Sequence, residues 1–224
     1  SPVFSQFNGF LPVPAFKALF KLTISAPFWE SVIASLFRVI FGILIAALIG
    51  IPGGLLIGFY RHLKDITNLP IQFLRMVSPL AWMPIAIVLL PSFENAILFI
   101  ITIASVWPIM LNTAQGVANV DPEWIKMAKN QGAKDYHLLF RIIFPASVPY
   151  ILSGMRLAIG VAWIVLVPAE LLGISSGLGY LINDARDTME YDRLMGIILS
   201  IGIIGFTIDG IFQLIQKKFD WRFK

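Results

Sequence analysis

SVIASLFRVIFGILIAALIGIPGGLLIGF, residues 31–59, holds a single ionisable side chain, Arg38, in 29 residues. At about 1.5 Å per residue, a helix of that length exceeds the roughly 20 residues needed to cross about 30 Å of hydrocarbon. Further apolar blocks at 73–91, 95–117, 147–172 and 194–216 bring the expected spans to five. Composition agrees, with 58% of the 224 residues hydrophobic and 13% charged, far from a soluble domain. The short alternating segments of an outer-membrane barrel are missing. The expected fold class is an all-α integral membrane protein, a bundle of about five transmembrane helices. Within the first span Gly42, Ala46, Gly50, Gly54 and Gly58 recur every four residues, and Gly154, Ala158 and Ala162 repeat the pattern. Such a stripe lets another helix approach closely, either as bundle packing or as a face along which helices shear.

Loop charge orients the bundle, because cytoplasmic loops retain Lys and Arg. With the first span running inward, the inner side holds Arg61, Lys64, Arg75, Lys126, Lys129, Lys134, Arg141, Lys217, Lys218, Arg222 and Lys224, eleven in all. The outer side holds four: Lys17, Lys21, Arg186 and Arg193. The amino terminus is therefore expected outside and the carboxyl terminus in the cytoplasm, in a cytoplasmic-type inner membrane. An external start with an odd number of spans leaves two alternatives, a sixth helix preceding this sequence or a five-span form. Ser1-Pro2-Val3-Phe4 has no basic region before an apolar core, so no signal peptide is expected. Residues 1–30 read as an external segment, with a short amphipathic helix over 15–21 lying on the membrane surface. Residues 31–224 read as the transmembrane domain. Pro79, Pro84 and Pro108 interrupt the second and third spans, which requires protein or water to satisfy the freed carbonyls.

There is no cysteine, and His62 and His137 are the only imidazoles, so metal and thiol chemistry are not expected. Most basic residues adjoin apolar spans, which points to membrane lipid as their partner and not to nucleic acid.

The 29 residues 118–146 are far longer than a tight helix connection needs. Asp121-Pro122-Glu123 has the form of a helix start, with Asp121 as N-cap and Pro122 at the first helical position. Trp124, Met127 and Ala128 make an apolar side at helical spacing, and Gly132 interrupts it. A second amphipathic helix is expected over Ala133–Phe144, stopped by Pro145 and again by Pro149.

Lys126-Met127-Ala128-Lys129-Asn130-Gln131-Gly132, nine residues, then Ile142-Ile143-Phe144-Pro145 resembles the signature of permease subunits of binding-protein-dependent ABC importers, Glu-Ala-Ala-x3-Gly-x9-Ile-x-Leu-Pro. Ala128, Gly132, Ile142 and Pro145 match at the right spacing, while Lys126, Met127 and Phe144 depart. Glu30-Ser31 through Gly58, Arg75 through Pro84, Ser153 through Ala158, Ala169 through Leu172 and Gly177-Leu178-Gly179-Tyr180 resemble the branch that imports nitrate, bicarbonate, taurine and other sulfonates. The resemblance implies a transport subunit and not an enzyme. Its loop would be a coupling helix docked on a cytoplasmic ATPase, with Gly132 as the turn and Ala133, Asp135 and Tyr136 at the contact. Lys126 replaces the usual Glu and removes any ion pair that Glu would make. The implied partners are a second copy of the chain, two ATPase subunits that bind ATP and Mg, and an external substrate-binding protein. The chain has no Gly-x4-Gly-Lys-Ser/Thr loop of its own, so no cofactor is expected in it. The branch implies a small oxyanion substrate, with nitrate or nitrite first, bicarbonate second and an alkyl sulfonate third.

Arg38, Arg156 and Asp209 fall within spans, and Glu170 near an outer boundary. Charges at that depth mark a pathway or a pair. Arg156 either attracts a passing oxyanion or pairs with an acid to hold the bundle, and Arg38 is placed to snorkel outward. Trp82, Met83, Trp107 and Trp163, with Glu170, either line the route or belong to the core. An ion-driven transporter would need an acidic relay or paired broken helices, and Asp209 alone is a poor relay. An intramembrane enzyme would need a dyad, a triad or a metal motif, and none stands at suitable depth.

Overall fold

A computed structural model describes residues 11–219 of the chain. Expectations that fall on residues 1–10, Arg222 and Lys224 lie outside the described residues.

The first apolar block forms helix α2, Ala26–Phe59, preceded by α1, Pro12–Ile24. The third block forms α5, Phe93–Ala118. The glycine stripe of α2 lies directly on α5. A Cβ added at Gly42 would meet Ile101, at Gly50 Ile109 and at Gly58 Val117, each at a separation of 59 in sequence. A constant offset means that the two helices run parallel. Parallel neighbours in one bundle need a return crossing, so the chain between them must travel back from the level of Gly58 to that of Arg38, about 30 Å at helical rise.

It does so with a broken crossing and not with one helix over 73–91. Helix α3 runs over Arg61–Met76, a 3-10 turn covers Pro79–Trp82, and α4 covers Met83–Leu89; the two arms are bent by 85°. The reason is local. Pro79 lacks an N–H and disfavours the helical region for the residue before it, and Val77 and Ser78 are extended at ψ 127° and 126°. The chain thus has four helices long and apolar enough to cross a membrane and one bent pair among the described residues.

After α5 come α6, Pro122–Asn130, and α7, Asp135–Leu138; a single π turn, Leu139–Ile143, then leads into α8, Phe144–Leu171. The expected stop at Pro145 and Pro149 does not occur, and the helix continues from Asp135 to Leu171. Pro145 sits in the first turn after the register change, where its missing N–H costs nothing. Just beyond it the Ser147 hydroxyl donates to the Ile143 carbonyl at 2.7 Å. Helix α8 is antiparallel to α5, with Gly116 against Tyr150 and Gly154 against the Pro108 carbonyl. A short α9, Leu178–Asp187, precedes α10, Tyr191–Phe219, which descends along α8.

Helix α1 buries Ala15, Ala18 and Leu22, and Leu19 and Ala18 border Gly196 of α10. The expected surface helix over 15–21 is therefore longer and docked on the bundle, while Phe16, Phe20 and Ile24 stay exposed on its other side. The first span starts at Ala26, inside the segment read as external. The core sits between α2, α4, α5 and α8, where Met83, Ile97, Ile100, Ile101 and Leu166 are all buried. Large apolar side chains such as Leu48, Ile164 and Phe206 face outward, as a hydrocarbon solvent requires.

Candidate functional site

At the end of the bundle that carries Lys217 and Lys218, α6 and α7 form a closed knob. The Asp121 carboxylate accepts the Glu123 N–H at 2.8 Å, one of the donors a helix start leaves unpaired. The far end of α6 closes as a Schellman motif. Gly132 donates to the Lys129 carbonyl at 2.9 Å and Ala133 to the Ala128 carbonyl at 3.0 Å, with Gly132 left-handed at φ +80°. Nothing lies near a Cβ built on Gly132, so its requirement is conformational and not steric. Ala128, Ala133 and Ile142 pack against the buried cluster of Leu55, Val117, Val120, Leu138 and Ile143. Three of the four matched signature positions, Ala128, Gly132 and Ile142, thus fold the knob or root it on α2 and α5, while Pro145 is exposed.

Its outer surface is polar and aromatic together. Lys126, Asp135 and Tyr136 are exposed, and the Tyr136 and His137 rings stack with centroids 3.9 Å apart. Trp124, Met127, Gln131, Arg141 and Pro145 line a groove of about 480 Å³ between α6 and the start of α8. Phe140 and Met127 are 65% and 60% exposed, large apolar side chains beside the basic residues of the knob, as protein-contact surfaces have. A continuous helical path from Asp135 to Leu171, through the π turn, joins the tip of the knob to the span.

The opposite end is tied by a buried knot around Arg38 and Glu170, two charges that the sequence singled out without showing that they pair. Arg38 grips Glu94 with two hydrogen bonds of 2.8 and 2.6 Å, and it also donates to Glu170 and Ser176. The fully buried Glu170 carboxylate accepts as well from Ser35 at 2.8 Å and from the Gly179 N–H at 2.9 Å. Ser35 in turn accepts the Leu178 N–H at 2.9 Å. Glu170 and Ser35, from α8 and α2, therefore cap the start of α9 from outside it. Gly177, at φ +106°, passes so close to Arg38 and Glu170 that a side chain there has no room. Arg38 is 3% exposed, so it does not snorkel. Ser35, Glu94 and Ser176 went unremarked in the sequence because each is polar in a way common to any span end.

Arg156 meets Asp209 of α10 through two hydrogen bonds of 2.9 and 2.8 Å. Both side chains remain partly exposed. The aromatic candidates separate. Trp82 and Trp107 share a groove of about 490 Å³ with Asn112, Leu157 and Val161, between the bent pair, α5 and α8. Met83 lies in the core, Trp163 donates to the Ile201 carbonyl at 3.2 Å, and Glu170 is locked in the knot; none of the three borders that groove. Among the described residues no three His, Asp or Glu side chains converge as metal ligands would.

Residues 50–224 match the family model described as the binding-protein-dependent transport system inner membrane component. The bicarbonate transport system permease protein CmpB of Synechococcus elongatus is 38% identical over 192 residues, 85% of this chain and 68% of that one. The nitrate import permease protein NrtB of Synechocystis is 34% identical over 186 residues, 83% of this chain and 68% of that one. Among solved structures, a chain of the MetNI methionine ABC transporter superposes with a TM-score of 0.69 at 15% identity, covering 88% of this chain and 99% of that one.

Proposed function

Because the chain belongs to the family of inner membrane components of binding-protein-dependent transport systems, we propose that it forms, with a second copy of itself, the translocation path for a small oxyanion of the nitrate and bicarbonate class. It is a multi-pass membrane subunit of an ABC importer, a transport component. In this reading the knob over Pro122–Tyr136 faces the cytoplasm and seats in an ATPase subunit. ATP and Mg belong to that partner, and an external binding protein delivers the anion to the end closed by the Arg38 knot.

The observation that carries the coupling role is the closed knob continuous with α8. A helix sealed by the Schellman turn at Gly132, packed through Ala128 and Ala133 and joined to a 37-residue helix, transmits a push as displacement instead of absorbing it. Helix-in-groove docking suits Tyr136 and Asp135 at its tip. The relatives named for bicarbonate and for nitrate are about equally similar, so both anions stand as substrates to be tested. An ion-driven transporter is set aside by the family.

The test is the importer reconstituted with its ATPase and binding protein, assayed for uptake and stimulated ATP hydrolysis with nitrate, bicarbonate and taurine. One of the two inorganic anions stimulates hydrolysis in the wild type, and Tyr136→Ala with Asp135→Ala abolishes the stimulation while the complex still assembles. Stimulation by taurine alone overturns the substrate reading; full stimulation in the double variant overturns the coupling role.

A further inference from the structure

Helix α3, Arg61–Met76, is amphipathic and mostly exposed, with Ile71 its one buried residue. Its apolar stripe, Leu63, Ile66, Leu69, Phe73 and Met76, is turned outward, with Leu69 77% and Met76 83% exposed. Its polar stripe, Lys64, Asn68, Gln72 and Arg75, is exposed as well and borders a pocket of about 260 Å³ against α5, where Gln115 adds a further amide. A surface helix in water buries the apolar side instead. A polar row beside an apolar stripe of this kind, bordering a cavity, opens that cavity to water or to a polar ligand.

The lining contains two cations and three side-chain amides, and no carboxylate. Among the described residues neither Lys64 nor Arg75 has an ion-pair partner, whereas Arg38 and Arg156 are both neutralised by carboxylates. Arg75 also borders the groove of Trp82 and Trp107, and with Leu111 it is common to both cavities. On α5 the shared wall runs through Trp107, Leu111, Gln115 and Ala118, one helix face about 16 Å long. The two cavities therefore stand in file, with Arg75 at the joint and Lys64 further toward the basic end.

We propose that this pocket is an oxyanion site on the translocation route, in which Arg75 takes the anion from the aromatic groove and Lys64 with the amides of Asn68, Gln72 and Gln115 holds it before release. A guanidinium presents a planar fork of donors that fits a planar oxyanion, and a lone ammonium with neutral amides binds it weakly enough to let go. Arg156 has its charge compensated by Asp209, which occupies the Nε–Nη2 edge of the guanidinium. The proposal rests on the oxyanion reading above and adds the residues that handle the anion. A phospholipid headgroup offers the same chemistry from a different source, and the experiment separates the two.

The chain has no cysteine, so single thiols report cleanly. Arg75→Cys and Lys64→Cys are made in the complete importer, reconstituted in liposomes with its ATPase and binding protein, using nitrate and bicarbonate as probes. Uptake kcat is expected to fall about tenfold or more in Arg75→Cys, the loss of one charge-assisted contact. A cationic thiosulfonate restores it, an anionic one does not, and saturating nitrate or bicarbonate slows the labelling. Lys64→Cys, at the exposed mouth, gives the same readout if Arg75→Cys fails to assemble. Uptake within about twofold of wild type overturns the proposal, as does equal rescue by both reagents or labelling indifferent to the anion, the result a headgroup site gives. Failure of the wild-type importer to carry either anion is seen before any variant is made and counts against the oxyanion reading instead.

Discussion

Replacing Glu170 with Ala tests the buried knot most directly. Three donors lose their acceptor at once: the Arg38 guanidinium, the Ser35 hydroxyl and the Gly179 N–H. Arg38 keeps only Glu94, whose side chain is 52% exposed, and Ser176. Breaking a buried pair by removing one partner costs about 3–5 kcal/mol, and an orphaned buried N–H about 1–3 kcal/mol. Because these losses share one network they do not simply add, and the expected cost is about 4–6 kcal/mol. Glu170→Gln, which keeps an acceptor for Gly179 but not the charge, should fall about halfway. Unfolding of the detergent-solubilised chain by heat or by a harsher detergent reads the difference. The paired variant Arg38→Met with Glu170→Met should be less damaged than Glu170→Ala, since apolar side chains of similar shape leave no buried charge. A loss of about 1 kcal/mol or less in Glu170→Ala, or a paired variant worse than the single one, would refute the reasoning.

Other substitutions probe the remaining contacts. A Cβ on Gly54 would collide with the Met110 carbonyl and with Thr113, so Gly54→Ala should force α2 from α5 and cost about 1–3 kcal/mol. Gly202→Ala, with open space around it, should be neutral or stabilising by up to about 1 kcal/mol in the same melt, and equal effects at the two sites would contradict the packing described. Gly132→Val puts a β-branched residue at φ +80°, costing roughly 1–2 kcal/mol locally; it should uncouple ATP hydrolysis from uptake with the spans intact, and normal coupling would count against the knob. Orientation is read from single cysteines in this Cys-free chain: Asp187→Cys should react with an impermeant reagent from outside and Lys126→Cys only after the membrane is opened, and the reverse pattern would invert the topology.

Much of the lower half of the molecule was legible as text. Asp121-Pro122 announced a helix start and Gly132 a turn, because caps and positive φ are local requirements that few residue types meet. The glycine stripe of α2 announced a close helix contact, though its partner, α5, could not be named from spacing alone. Local rules misled at two places. Pro79 reads the same whether it sits inside a span or at a fold in one, and the parallel register of α2 and α5 is what demands a bent return crossing. Pro145 reads as a stop, yet the π turn before it places it at a new first turn.

Among the charges, the amino-acid sequence decided that Arg38, Arg156, Glu170 and Asp209 stand in or beside apolar segments, where charge is costly and must find a use. It could not decide which use, because pairing is a property of distance across the bundle. Arg38 and Glu170 are 132 residues apart in the chain, and Arg156 and Asp209 are 53 apart. Hydrophobic length, capping and turn chemistry act over a few neighbouring residues, so the sequence alone determined the membrane class, most of the long apolar helices and the start and turn of the knob. Tertiary structure alone decided which cations are neutralised and which, Lys64 and Arg75 among them, are left bordering a cavity, since a charge is compensated only by what the fold brings within hydrogen-bond reach.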